Sequence, residues 1–208
     1  RMGFRGVSFM PAKISNAAML TYILALMACS LLYSKYVLDW KWWIFGLISV
    51  LGFFYFANRQ TKLWINTRPM AFTKKIFWTA LALRIVWVLV SYLLYYKWTD
   101  TAFSIGAADE LFYDEAARYG ANMIREGNWR IYSGIMDYAN AAFSDMGYPM
   151  YLSVIYWIFN DSVLIARLLK AILSAWTVVL VYKVAARNFD EHTGRMAGVF
   201  CMLMPNLI

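Results

Sequence analysis

Residues 14–34 carry no charged side chain. A helix needs about 20 consecutive apolar residues to cross the hydrocarbon core of a bilayer, so this run is long enough for one span. The pattern recurs. After a short turn at 35–41, apolar runs cover 42–58, 76–96 (interrupted by Arg84) and 162–182 (carrying Arg167 and Lys170), and another starts near Met196. Composition agrees: hydrophobic residues make up 62% of the chain and charged residues 15%. A water-soluble surface takes roughly a quarter of its residues charged, so this chain has too few to cover itself. The expected fold class is all-α, a polytopic helical membrane protein. The chain opens on Arg1 and stops about 13 residues into its last apolar run, so it is expected to be part of a longer protein.

The remaining composition closes off other classes. The net charge is +8, but nucleic-acid binding needs bases gathered on one exposed face. Here they are spread between apolar runs, where they read as topology signals, and no nucleic-acid partner is expected. Cys29 and Cys201 both lie inside apolar runs, which argues against a disulfide framework. With His192 as its one histidine, the chain builds no His-based zinc motif.

Charge placement orients the spans. Arg1, Arg5 and Lys13, the 59–75 loop (Arg59, Lys62, Arg68, Lys74, Lys75) and the turn with Lys183, Arg187 and Arg195 are rich in Lys and Arg. The positive-inside rule puts all three in the cytoplasm. Residues 97–161 hold nine acids against four bases and are expected outside. Two parts follow: 1–75, a transmembrane hairpin with a basic cytoplasmic loop, and 76–208, the start of a larger transmembrane domain with the extracytoplasmic loop 97–161.

Inside that loop, 109–126 has a helical pattern, with Phe112, Ala116, Tyr119 and Met123 on one face. This is the pattern of an amphipathic helix at a membrane surface, and Gly127-Asn128 should end it. Residues 128–145 read as irregular. The apolar run 146–160 is fifteen residues, short for a span, and is expected to lie on the outer face, with Pro149 in its first turn.

Acids at the outer surface facing cations just inside the membrane are the most informative arrangement. Transfer of a sugar from a polyprenyl phosphate needs a carboxylate to take the acceptor's proton and cations to stabilise the leaving phosphate. Asp109 and Glu110 are the candidate catalytic acids. Arg167 and Lys170, about 7 and 12 Å below the outer end of their span, are the candidate phosphate ligands. They head a polar stripe with Ser174 and Thr177, and a stripe of that kind faces protein or a cavity rather than lipid. Simpler readings stand beside these. Spacing alone leaves Asp109 equally readable as a helix N-cap. Asp114 and Arg118, at i and i+4, read as a solvated surface pair. Arg167 and Lys170 could snorkel to the headgroups. Arg84 reads as structural, paired with a helix that the sequence does not identify.

The run Ala108-Asp109-Glu110-Leu111-Phe112-Tyr113, the helix after it with Ala116, Ala117 and Arg118, and the step Gly147-Tyr148-Pro149-Met150-Tyr151-Leu152 resemble the first extracytoplasmic loop of GT-C glycosyltransferases. The likeness is greatest to the branch of protein O-mannosyltransferases and the lipid A aminoarabinose transferase. The order continues through Asn160-Asp161, Arg167 in the stretch 165–173 and the stretch 181–189, covering about 76–208. The resemblance implies a GT-C-like fold with juxtamembrane helices in the outer loop. It implies a catalytic or acceptor-activating role for Asp109, with Glu110 and Tyr113 beside it, and donor contact at Tyr148 and Arg167. Two features are this chain's own: two spans precede the family's usual first helix, and Tyr148 stands where some members carry a phosphate-binding Lys.

The expected function is that of a membrane glycosyltransferase. It would take a sugar from a polyprenyl-phosphate-linked donor to a glycan, lipid or protein acceptor on the extracytoplasmic face of the cytoplasmic (inner) membrane, needing more than these residues for activity. The sequence does not settle whether a divalent metal takes part. The alternatives are a transporter or flippase for lipid-linked glycans and a scaffold subunit. A transporter would place ionisable groups near the bilayer midplane, whereas here the acids gather outside.

Overall fold

The computed structural model describes residues 12–33, 40–103, 108–139 and 146–204. The readings placed on Arg1, Arg5, the Lys13 side chain, the turn at 35–39, residues 140–145 and the end at 205–208 lie outside them. Every element is a helix: α1 (Ala12–Leu32), α2 (Trp40–Trp64), α3 (Pro69–Thr99), α4 (Ala108–Arg125), α5 (Ile131–Ala139), α6 (Gly147–Phe159), α7 (Val163–Asn188) and α8 (Glu191–Leu203). Two of them, α3 and α7, are long and apolar enough to cross a membrane. Only 28% of the most apolar stretch of each is buried, so neither is the enclosed core helix of a soluble domain. Trp78, Leu93, Trp176 and Leu180 project from them, each more than half exposed.

The helices outrun the apolar runs that predict them. The expected loop 59–75 is mostly helical: Arg59 and Lys62 lie on α2, and Lys74 and Lys75 on α3, leaving four connecting residues, 65–68. Pro69 opens α3, where its missing N–H costs nothing and its fixed φ suits a first turn. The last helix begins at Glu191, five residues before the expected Met196. Asp190 caps it by accepting from the Thr193 N–H (2.7 Å) and hydroxyl (3.0 Å), bonds that hold its carboxyl below the usual carboxylate range.

The chain divides into two compact units, 1–80 with 175–208, and 81–174. In the first, α1 and α8 pack on α2. Phe53 and Phe54 of α2 meet Phe200 of α8 at 5.3 and 6.3 Å between centroids. Gly194 and Gly198 of α8 lie so close to Ala186 and Tyr182 of α7 that a side chain at either would overlap them, a small-xxx-small approach. Arg195, expected as a topology signal, is buried instead. It donates to the carbonyls of Trp64 (2.9 Å), Ile65 (2.6 Å) and Thr67 (2.7 Å) and to Glu191 Oε1 (2.8 Å), satisfying the end of α2 and the turn after it.

The second unit holds α4–α6 with the flanking parts of α3 and α7. At 1.5 Å per residue the thirteen-residue α6 is about 20 Å long, short of a bilayer core. It packs along α4. The buried face of α4 is Asp114, Ala116, Ala117, Gly120, Ala121, Met123 and Ile124; of the expected face it holds Ala116 and Met123 but not Phe112 and Tyr119. Tight helix approach selects small residues, which a search for large apolar side chains passes over. A Cβ on Gly120 would meet Ser153 of α6. The expected irregular stretch 128–145 contains α5, whose Ile131 and Ile135 pack with Ala116, Ile124 and Met146. The stop at Gly127-Asn128 forms as expected. Gly127 has φ +79°, its N–H reaches the Ile124 carbonyl (3.0 Å), and the Asn128 N–H reaches the Met123 carbonyl (2.9 Å), a Schellman closure. At the end of α6, Asn160 and Asp161 are both left-handed (φ 52° and 59°). Arg125 holds this turn, donating to Asp161 Oδ1 (3.0 Å), Asp161 Oδ2 (3.2 Å) and the Tyr156 carbonyl (3.0 Å).

Candidate functional site

The unit 81–174 brings together side chains from three helices. Glu110 and Tyr113 come from the first turns of α4, Tyr148 from the start of α6, and Arg167 and Lys170 from the N-terminal part of α7. Glu110 and Tyr113 share a face because they are three residues apart on a helix, as are Arg167 and Lys170. The carboxylate Oε2 of Glu110 lies 3.6 Å from Arg167 Nη2. The Arg167 guanidinium carbon lies 5.7 Å from the ring centroid of Tyr95 and 5.5 Å from that of Phe103, both cation–π distances. Lys170 Nζ is 6.0 Å from the Tyr148 ring centroid, and the Tyr148 ring meets Tyr113 edge-on at 5.4 Å. Burial pushes the Tyr148 phenol above its ordinary value, Tyr151 and Glu110 add to the rise, and Arg167 opposes it. The ensemble is a pair of cations lined by aromatic rings with a carboxylate at its edge.

Asp109 is exposed and is the second residue of α4. It therefore sits inside the helix rather than at the N-cap position, where a capping side chain would have to be. An acid in the first turn still gains from the helix dipole.

Asp114 departs most from its expected role. It is buried at 8% exposure, accepts from Tyr156 Oη at 2.6 Å and from Arg118 Nε at 2.9 Å, and Arg118 lies 5.4 Å from the Tyr156 ring centroid. The expected i,i+4 pair forms with Arg118 partly exposed, but its Asp114 is buried and clasps α4 to α6. Its partner 42 residues away is invisible to spacing within one helix. Burial and the bond to Asp114 push the Tyr156 phenol well above its usual range, so it stays protonated and donating. The bond to Asp114 is also the main reason the Arg118 guanidinium is held more firmly protonated than usual.

Arg84 finds its partner within the chain: it is 1% exposed and donates from Nε to Ser174 Oγ at 2.7 Å. Ser174, in the expected polar stripe, thus faces protein and joins α7 to α3. Among the described residues, no group of three or more His, Cys, Asp or Glu side chains is placed to hold a metal ion. Cys29 is exposed and Cys201 buried, both as free thiols.

Comparison with protein-family models, with curated proteins and with solved structures finds no match to the chain.

Proposed function

We propose that this chain is the N-terminal membrane part of a GT-C-type glycosyltransferase, multi-pass in the cytoplasmic membrane with its active face outside. It moves a sugar from a polyprenyl-phosphate-linked donor to a glycan, lipid or protein acceptor. The carrying observation is the convergence of Glu110, Tyr113, Tyr148, Arg167 and Lys170 within one unit, at the end of a helix apolar enough to cross a membrane. A lipid-linked sugar presents its phosphate at that depth and its sugar to the aqueous side. In this reading Arg167 and Lys170 receive the phosphate, and the rings of Tyr95, Phe103 and Tyr148 hold the cations in place. Asp109, exposed on the same turn as Glu110, takes the proton from the acceptor hydroxyl. The acceptor oxygen bonds to the anomeric carbon as the sugar–phosphate C–O bond breaks. The electron pair leaves on the polyprenyl phosphate, whose added charge the two cations offset.

The test is Asp109→Asn in the full-length protein, assayed as transfer of radiolabelled sugar from polyprenyl phosphate in membranes, with expression and thermal stability measured in parallel. The amide keeps the size of the side chain but cannot take a proton. Transfer should fall by roughly 100- to 10,000-fold with stability unchanged. Near-normal transfer would remove Asp109 from the chemistry.

A further inference from the structure

Arg167 meets an anion in a way that its neighbours do not. The rings of Tyr95 and Phe103 lie 5.7 and 5.5 Å from its guanidinium carbon. Cation–π contacts occupy none of the guanidinium's five N–H donors with a charged acceptor, which leaves them for an anion. Glu110 approaches them loosely. Its oxygen is 3.6 Å away, beyond the roughly 2.7–2.9 Å of a charge-assisted hydrogen bond. The other arginine–carboxylate pairs of the same unit are closed, Arg118–Asp114 at 2.9 Å and Arg125–Asp161 at 3.0 Å. The Arg167 side chain is 19% exposed while that of Glu110 is 53% exposed, so the cation is held in place and its anion can move away into water.

We propose that Glu110 is an exchangeable counter-ion: it neutralises Arg167 while the site is empty and yields the guanidinium edge to the phosphate of the lipid-linked donor. This rests on the polyprenyl-phosphate reading given above and assigns Glu110 a role apart from that of Asp109. A cation on an apolar helix with no partner would carry a desolvation cost, which Glu110 offsets at rest. A phosphate offers two or more oxygens to the fork at hydrogen-bond distance and outcompetes a carboxylate that makes none. After transfer, Glu110 competes with the spent polyprenyl phosphate for Arg167 and so favours its release.

Binding of farnesyl phosphate to the 208-residue chain in detergent, followed by calorimetry, tests this, with farnesol and inorganic phosphate as the two half-ligands. Glu110→Gln removes the competing charge and should tighten farnesyl phosphate binding by roughly two- to five-fold, the range set by a partly exposed ion pair. Arg167→Gln should weaken binding at least tenfold, and adding Glu110→Gln to it should then change nothing further. Thermal unfolding of each variant shows that the fold is retained. If wild type binds and Glu110→Gln binds equally or more weakly, the counter-ion role is overturned while the phosphate reading stands. Absence of saturable binding by both wild type and Glu110→Gln would overturn the phosphate reading and this inference with it. Equal affinity for inorganic phosphate and farnesyl phosphate would overturn the lipid-linked source of the anion.

Discussion

Arg195 shows how a residue can satisfy one sequence rule and serve another purpose. By position it belongs to a basic segment that the positive-inside rule reads as a topology signal, and a lysine would serve that purpose equally. Its surroundings ask for more: three backbone carbonyls and a carboxylate around one buried side chain, which the guanidinium fork reaches from Nε and both Nη atoms. A lysine ammonium has three donors at a single point and cannot span them. Arg195→Lys should therefore lower stability by about 1–3 kcal/mol, the cost of leaving buried carbonyls unmet, measured by thermal unfolding in detergent. Unchanged stability would return Arg195 to a topology signal. The candidate site was legible in part for the same kind of reason. Arg167 and Lys170 stand out because cations in an apolar run are costly, and Glu110 because it opens an acidic helix, whereas Tyr113 is reached only through the family resemblance. What could not be read was pairing at long separation: Glu110 with Arg167, Asp114 with Tyr156, Arg84 with Ser174. Each joins helices far apart in the chain, and no periodicity within one helix encodes its partner.

Among the elements, the α4–α6 pair decides whether the site holds together, since one helix carries Glu110 and Tyr113 and the other Tyr148. Its contact depends on the missing side chain of Gly120. In an isolated helix, Gly→Ala stabilises by about 1 kcal/mol through backbone entropy. Here a methyl at 120 would run into Ser153, whose hydroxyl donates to the Pro149 carbonyl at 2.8 Å. The sign should reverse: Gly120→Ala is expected to destabilise by about 1–3 kcal/mol through overpacking. Ser153→Gly in the same chain should recover much of the loss, read as a coupling energy in a double-mutant cycle. A stabilising Gly120→Ala would mean that the helices do not approach this closely. The sequence reading found α4, its stop at Gly127 and the short α6, because caps, glycine and run length are local signals. It missed α5, nine residues whose aromatic and polar mixture hides the period. It placed Ala116 and Met123 on the packed face of α4 but took Phe112 and Tyr119 in place of Ala117, Gly120 and Ala121, which make the close contact.

At the scale of the whole molecule, charge follows the division into units. The unit 81–174 carries nine acids and seven bases, whereas the residues of the other unit include three acids and thirteen bases. Under the positive-inside rule this segregation predicts 97–161 outside and 183–195 inside. In a background lacking Cys29 and Cys201, a cysteine at Asn128 should react with a membrane-impermeant reagent from outside, and one at Asn188 only after permeabilisation. Both positions are exposed in the fold, so lack of reaction reports sidedness rather than burial. Labelling of 188 from outside would mean that 146–160 crosses the membrane. The Arg195 clasp also has a meaning in time. The carbonyls it satisfies are made up to 131 residues before it. At roughly 5–20 residues per second, the turn after α2 waits on the order of 7–26 s after synthesis for the side chain that completes it. Through that interval water must serve in the arginine's place, so the turn between α2 and α3 is made early and sealed late, by a side chain of α8.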